Sequence, residues 1–148
     1  MILKTKIHPV RTSQWVGFLR NRRGAVLIEM AIALPVLLTL IMGIVSYGEW
    51  FLTAHSIQQT ANDAARSAIS GLTATERQAT AIATAQTDMR RAGVLNPARA
   101  TFSVNDDNTT VVVAVSYDAS NDPLLHLSFV PMPANVIQRT AVIRLDGL

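Results

Sequence analysis

The chain has 148 residues, no cysteine and a formal charge of +3. Its length suits one modest domain. The lack of thiols excludes disulfides, thiolate metal sites, thiol catalysis and cysteine lipidation, so a domain outside the cytoplasm would be held by its core or by partners. Of thirteen lysines and arginines, six (Lys4, Lys6, Arg11, Arg20, Arg22 and Arg23) lie in residues 1–24, where there is no acid; seven then face ten acids in the remainder. The positive balance belongs to this N-terminal tract. It is not the basic face that a nucleic-acid-binding fold presents, so no nucleic-acid partner is expected.

The basic tract ends in Arg22-Arg23-Gly24, and Ala25-Val26-Leu27-Ile28 leads to Glu29. From Met30 to Gly48 there are 19 residues without a charge. A soluble core helix rarely runs so far without a polar face, so the stretch is read as a membrane span. Residues 25–48 would extend about 36 Å as a helix, against a hydrocarbon core of about 30 Å. Glu29 does not forbid insertion. Twelve Leu, Ile and Val between Val26 and Val45 contribute roughly −5 kcal/mol. An acid at mid-bilayer costs about 3 kcal/mol, and less near an end.

Orientation follows from the flanking cations. Arg20, Arg22 and Arg23 precede the span, and the next Lys or Arg after it is Arg66. The positive-inside rule puts residues 1–24 in the cytoplasm and those beyond about 49 outside. Tyr47 and Trp50 suit the outer interface. A secretory signal would have a shorter apolar core with a small-residue site after it; the A-x-A here, Ala31-Ile32-Ala33, falls inside the span. An uncleaved signal anchor is the plain alternative. Within the span Pro35 removes a backbone donor and is expected to kink the helix, which a membrane helix tolerates when neighbours satisfy the freed carbonyl. Gly43 and Gly48 are not spaced as GxxxG.

The run Arg22 to Glu29 resembles the processing site of type IV prepilins and pseudopilins. With Ala31, Pro35, Gly43 and Glu49, followed by Ala61 and Ala64-Ala65-Arg66, the chain resembles the TadE-like pseudopilins of the tight-adherence (Flp-type) pilus machinery. Met30 stands where several of these proteins place an aromatic. The resemblance implies cleavage by a prepilin peptidase between Gly24 and Ala25, which leaves Glu29 fifth in the mature chain. Glycine suits such a cut because the peptidase must receive an unbranched, extended backbone. Two roles are open for Glu29. It can stay near the cytoplasmic interface, reaching water or pairing with Arg22 or Arg23. In the mature protein, as the resemblance implies, it can meet the new α-amine of a neighbouring subunit, a desolvated pair that is favourable only when both members are present.

Beyond the membrane Ala54, Ile57, Ala61, Ala64 and Ala68 recur at three- and four-residue spacing and predict a continuing helix with a stripe of small residues. Gly71 is a candidate stop. Thr73-Ala-Thr-Glu76 reads as a capping box that opens a second helix, which runs to about Ala92 with Arg90 and Arg91 at its end and Gly93 beyond. Thr101–Val104 and Thr110–Tyr117 predict a β-hairpin turning at Asn105–Asn108. Residues 124–130 are expected to form a strand that breaks at Pro131-Met132-Pro133. A last strand over 136–145 has Ala141, Ile143 and Leu145 on one face and Thr140, Val142 and Arg144 on the other.

No catalytic constellation emerges. His8, His55 and His126 lack ligand spacing, and no glycine-rich phosphate loop or nucleophile elbow occurs. Ser128 merely shares a strand face with His126. Asp106 and Asp107 lack the spacing and glycine of a calcium loop, which leaves a solvated turn. Asn108-Thr109-Thr110 matches a glycosylation acceptor, a pattern common by chance. The chain is therefore read as a non-enzyme without cofactor or metal.

The fold class expected is α+β, pilin-like: a long N-terminal transmembrane helix continuing outside, a second helix and a small antiparallel sheet. The expected organisation is a cleaved basic cytoplasmic leader (1–24), a transmembrane helix (25–48) and an extracytoplasmic domain (49–148). The expected function is that of a minor pseudopilin or assembly component of a Tad pilus in pilus biogenesis and adherence, single-pass in the bacterial inner membrane or incorporated in the pilus. The partners implied are the prepilin peptidase, other pilins and pseudopilins through the N-terminal helix, the Tad inner-membrane machinery and membrane lipid. The alternatives are a minor pseudopilin of type II secretion and an unprocessed membrane-anchored binding module.

Overall fold

The computed structural model describes residues 22–93, 95–125, 131 and 133–145; within these, the side chains of Arg22 and Arg23 are left undescribed. The leader residues 1–21, with His8, lie outside the described residues, as do His126, Ser128 and Met132. The chain divides into two compact units, Met1–Leu40 and Ile41–Leu148.

Two α-helices and three strands carry the fold: α1 (Arg22–Ala68), α2 (Ala74–Ala92), β1 (Ala100–Asp106), β2 (Thr110–Asp118) and β3 (Val136–Arg144). The architecture is α+β, as expected. In the first unit the side chains from Ala25 to Leu40 are all exposed. A helix that is apolar all round and exposed needs another apolar medium. By length and composition α1 can cross a membrane, and it is the one described helix that can. Pro35 lies inside the helix. One turn on, the Thr39 hydroxyl donates to the Pro35 carbonyl at 2.8 Å.

In the second unit the anticipated stripe is the helical side of the core. Ala54, Ile57, Ala61, Ala64 and Ala68 are buried, joined by Ala65. The larger core residues come from the sheet: Val111, Val113, Val115 and Tyr117 of β2 and Ile137 of β3. Small side chains on a helix let its backbone approach a sheet whose Val, Tyr and Ile fill the gap, the complementarity that native packing density demands.

α1 ends at Ala68, and its last turns tighten into i→i−3 bonds from Ile69, Ser70 and Gly71 to Arg66, Ser67 and Ala68. Gly71 thus follows the stop, and it does not take positive φ. Its role is spatial: a Cβ there would lie 2.5 Å from the Arg77 backbone nitrogen and 2.9 Å from its Cα. The capping box forms as predicted. The Glu76 amide donates to Thr73 Oγ1 (3.2 Å), and the Glu76 carboxylate accepts from the amides of Thr73 (3.1 Å) and Leu72 (2.9 Å). α2 stops at Ala92 because Gly93 adopts the left-handed conformation, φ 68°, which costs glycine little. Ala81, Ala85 and Met89 bury its inner side.

The sheet is antiparallel with order β1-β2-β3. Phe102 faces Val115 and Val104 faces Val113 in the hairpin; Val113 then faces Ala141 and Val111 faces Ile143 across β2 and β3. β2 is central and buries alternate residues. β3 divides its faces as its alternation predicts: Ala141 is buried, Ile143 and Leu145 pack against the core, and Val142 is exposed.

Two boundaries differ from the expectation. β1 continues to Asp106, and the turn is carried by Asp107, Asn108 and Thr109, with Asn108 at φ 64°. Asparagine tolerates this conformation better than most residues. The expected strand at 124–130 does not begin at Leu124: Pro123–Leu125 form a single 3-10 turn in which the Leu125 amide donates to the Asp122 carbonyl at 3.0 Å and the Leu125 side chain is buried. Proline presets φ for such a turn, and the local bond outweighs the β-leaning composition. Residues 126–130 lie outside the described residues.

Candidate functional site

The residues singled out at the N-terminus occupy consecutive turns of α1. Gly24 and Ala25 are already helical, since the element begins at Arg22. Ala25 and Glu29 stand at i and i+4, so their side chains lie on one face, about 5–6 Å apart at Cβ. Both are exposed. The Glu29 carboxylate makes no ion pair or hydrogen bond among the described side chains.

Gly24 has no steric reason to be glycine. A Cβ built there meets nothing within 4 Å, and its φ is not positive. Glycine in a helix interior costs about 0.8–1 kcal/mol relative to alanine. The Gly24–Ala25 peptide lies in the first turn of α1. Gly43 and Gly48 are equally free of neighbours within 4 Å.

At the other end of the apolar segment the two aromatics part company. Tyr47 is exposed, and its hydroxyl donates to the Pro131 carbonyl at 2.5 Å. Trp50 turns toward the folded part instead: it packs against the core, and the Arg139 guanidinium lies 5.8 Å from its ring centroid. That distance allows a cation–π contact. Trp50 therefore belongs to the domain, and Phe51 and Leu52 present the exposed apolar surface at this level of the helix.

The polar cluster of the second unit is structural in its contacts. Arg77 donates through Nε to Asp106 Oδ2 (2.5 Å) and through Nη2 to Asp106 Oδ1 (3.2 Å) and Asn108 Oδ1 (2.8 Å). The Arg77 hydrogen bonds hold the Asp106 carboxyl below its usual range, and the pair raises Arg77 in turn. Asp107 is lowered by the amides of Thr109 and Thr110, which donate to its Oδ1. Both carboxylates are thus engaged, while Asp107, Asn108 and Thr109 are exposed as in a solvated turn; charge at the turn is used to close it. Asp118 is lowered by the hydroxyl and amide of Ser120. His55 is exposed on α1 with its ring nitrogen 3.1 Å from Gln59 Nε2. Local spacing carries no trace of the Arg77–Asp106 contact, because the two residues lie 29 apart in the chain.

The features together define an α+β protein carried on one N-terminal helix that fits a single-pass membrane anchor. Residues 24–66 match the model of the TadE-like protein family. The matched stretch opens on Gly24 and closes on Arg66, the span on which the resemblance rests, and it relates the chain to the components of Tad pili. No curated protein and no solved structure matches the chain.

Proposed function

We propose that the chain is a minor pseudopilin of a Tad (Flp-type) pilus, a structural and assembly component rather than an enzyme. In this reading residues 1–24 are a cytoplasmic leader, and α1 is held in the bacterial inner membrane with the second unit on the extracytoplasmic side. A prepilin peptidase cuts between Gly24 and Ala25, and the protein then joins other pilins and the Tad inner-membrane machinery in pilus biogenesis and adherence.

One observation carries the reading. An apolar helix of membrane length, whose side chains from Ala25 to Leu40 are all exposed, opens on a glycine that its own fold does not require and holds a single acid near its start. An anchor alone needs neither residue. Processing accounts for the glycine. The acid is accounted for by the amine that processing creates on Ala25, a positive charge in a low-dielectric setting that requires a partner. The match at residues 24–66 favours the Tad system over type II secretion.

N-terminal sequencing of the protein recovered from membranes, with and without a co-expressed prepilin peptidase, tests the proposal. A chain beginning at Ala25 only when the peptidase is present is expected. A chain that keeps Met1 in both cases would leave the protein an unprocessed anchor and end the pilus reading.

A further inference from the structure

Within the second unit α1 has two unlike sides between Ile41 and Leu52. On one side Met42 and Gly43 are half-buried, Ser46 is wholly buried and Trp50 packs against the core. Glu49, the first charge after the apolar segment, is half-buried on the flank of this side. On the other side Ile44, Tyr47, Phe51 and Leu52 are exposed, Phe51 by 68% and Leu52 by 63%. Steps of three and four residues keep each set on its own side. Exposed apolar surface therefore continues past Glu49 as far as Leu52, and the exposed His55 ends it.

The cover on α1 thus reaches down to Met42, inside the stretch read as membrane span. A hydrocarbon core of about 30 Å takes about twenty helical residues, so a crossing that starts at Ala25 ends near Ile44. What stands beside Tyr47 and Trp50 is then at the level where hydrocarbon gives way to headgroups.

Two contacts identify that part of the unit. The Tyr47 hydroxyl donates to the Pro131 carbonyl, and the Arg139 guanidinium stands over the Trp50 ring. These partners belong to the start of β3 and to the segment before it. The end of β2 comes to the same place: Asp118 faces Val136, and the Ala119 amide donates to the Asn135 carbonyl. The Asp122 amide returns to the Ala119 carbonyl, which keeps the Pro123–Leu125 turn at this end. Leu124 and Val136 are both exposed here. The opposite end of the sheet holds the Arg77–Asp106 pair and the Asp107 turn. Among the described residues of this unit, Leu72 and Val142 are the exposed large apolar side chains that lie elsewhere.

We infer that this end of the second unit is a lipid-contacting surface, seated in the interfacial layer of the bilayer that α1 crosses, with Tyr47, Phe51, Leu52, Leu124 and Val136 against lipid. The helix selects the occupant. α1 leaves the unit at this end, so the surface is tethered beside the bilayer, and the exposed apolar side of α1 runs into it without a break. Tyr47 suits such a layer, where aromatic rings with a polar tip collect. The domain in this arrangement rests on the membrane and does not stand off it on a stalk. The inference rests on α1 crossing a membrane; it needs neither processing nor a pilus.

The chain lacks cysteine, so single thiols carry a reporter to chosen positions. Ile44→Cys, Leu124→Cys, Val136→Cys and Leu72→Cys, each in the full chain, are labelled with a nitrobenzoxadiazole fluorophore. They are then reconstituted in vesicles of phosphatidylethanolamine and phosphatidylglycerol. Quenching is measured with nitroxide-headgroup lipid in the bilayer and, separately, with iodide in the water. The labels at 44, 124 and 136 are expected to lose most of their emission to the nitroxide lipid. The label at 72 should lose its emission to iodide and little to the lipid. Labels at 124 and 136 that behave like the label at 72, while the label at 44 is quenched by lipid, overturn the seating and leave the anchor intact. Labels at 124 and 136 shielded from both quenchers indicate cover by protein, and overturn it too. An Ile44→Cys label that lipid does not quench removes the membrane crossing itself, and the inference with it.

Discussion

Arg77, one turn into α2, and Asp106, the last residue of β1, meet in a two-pronged ion pair whose side chains are 9% and 5% exposed. Asn108 takes a further donor from the same guanidinium. One cation thereby ties the start of α2, the end of β1 and the left-handed residue of the turn. Removing one partner of such a pair leaves the other desolvated and alone, which is worse than removing both. Arg77→Met is therefore expected to lower the melting temperature more than Arg77→Met combined with Asp106→Val. Circular dichroism melts of the full chain in detergent, with both single variants and the double, check the order.

The same pair predicts the sign of an acid response. Asp106 has its pKa lowered by Arg77 from the ordinary 3.8. A carboxyl lowered on folding stabilises fully above its unfolded value and loses that contribution as pH falls through its folded value. Asp107 and Asp118 are lowered as well, and act in the same direction. Stability should thus hold down to about pH 4 and decline below it. Asp106→Asn should flatten that decline while lowering the plateau, which melts between pH 7 and pH 2 would show.

Gly71 is required by contact and not by φ. The alanine Cβ would sit against the Arg77 backbone at 2.5 Å, and backbone cannot swing aside as a side-chain tip can. Gly71→Ala is expected to cost about 1–3 kcal/mol of overpacking strain, more than the gain of up to about 1 kcal/mol from restricting the unfolded chain. Denaturant titration would show a lower midpoint with an unchanged slope.

Ile57 is fully buried in the core, whereas Leu72 is 90% exposed. Ile57→Ala should destabilise by about 2–5 kcal/mol through lost burial and the cavity left behind. Leu72→Ala, at a position with no buried surface to lose, should stay within about 0.5 kcal/mol. Comparable losses at both sites in the same titration would contradict the placement of the core.

Gly24→Leu and Glu29→Leu separate processing from assembly. A Cβ at Gly24 meets nothing within 4 Å and Glu29 is exposed, so both variants should insert and fold as the parent does. Gly24→Leu is expected to run unshifted on a gel beside a working prepilin peptidase. Glu29→Leu is expected to be cut and yet to lower pilus assembly; assembly at the parent level would remove the pairing role given to Glu29.

Much of the fold was legible because its signals are local. The Thr73–Glu76 capping box closes within one turn. Gly93 acts through its own φ, and the stripe from Ala54 to Ala68 is a periodicity of one helix. Leu124 misled for the complementary reason: its apolar neighbours read as strand, while Pro123 and the Asp122 carbonyl made a tight turn that composition does not weigh. Trp50 misled because an aromatic at a membrane exit can face either lipid or protein, and only packing against Arg139 and the core chose between them.

The amino-acid order by itself determined that residues 25–48 form an apolar helix with one acid near its start, where α2 begins and ends, and which faces of the strands turn inward. Each depends on interactions spanning a few residues or on the solvent preference of a continuous stretch. Tertiary structure alone decided that Arg77 finds Asp106, that Gly71 must leave room for a neighbouring backbone, and that β2 lies between β1 and β3. These depend on which distant segments share the space around one small core, and chain spacing carries no record of that.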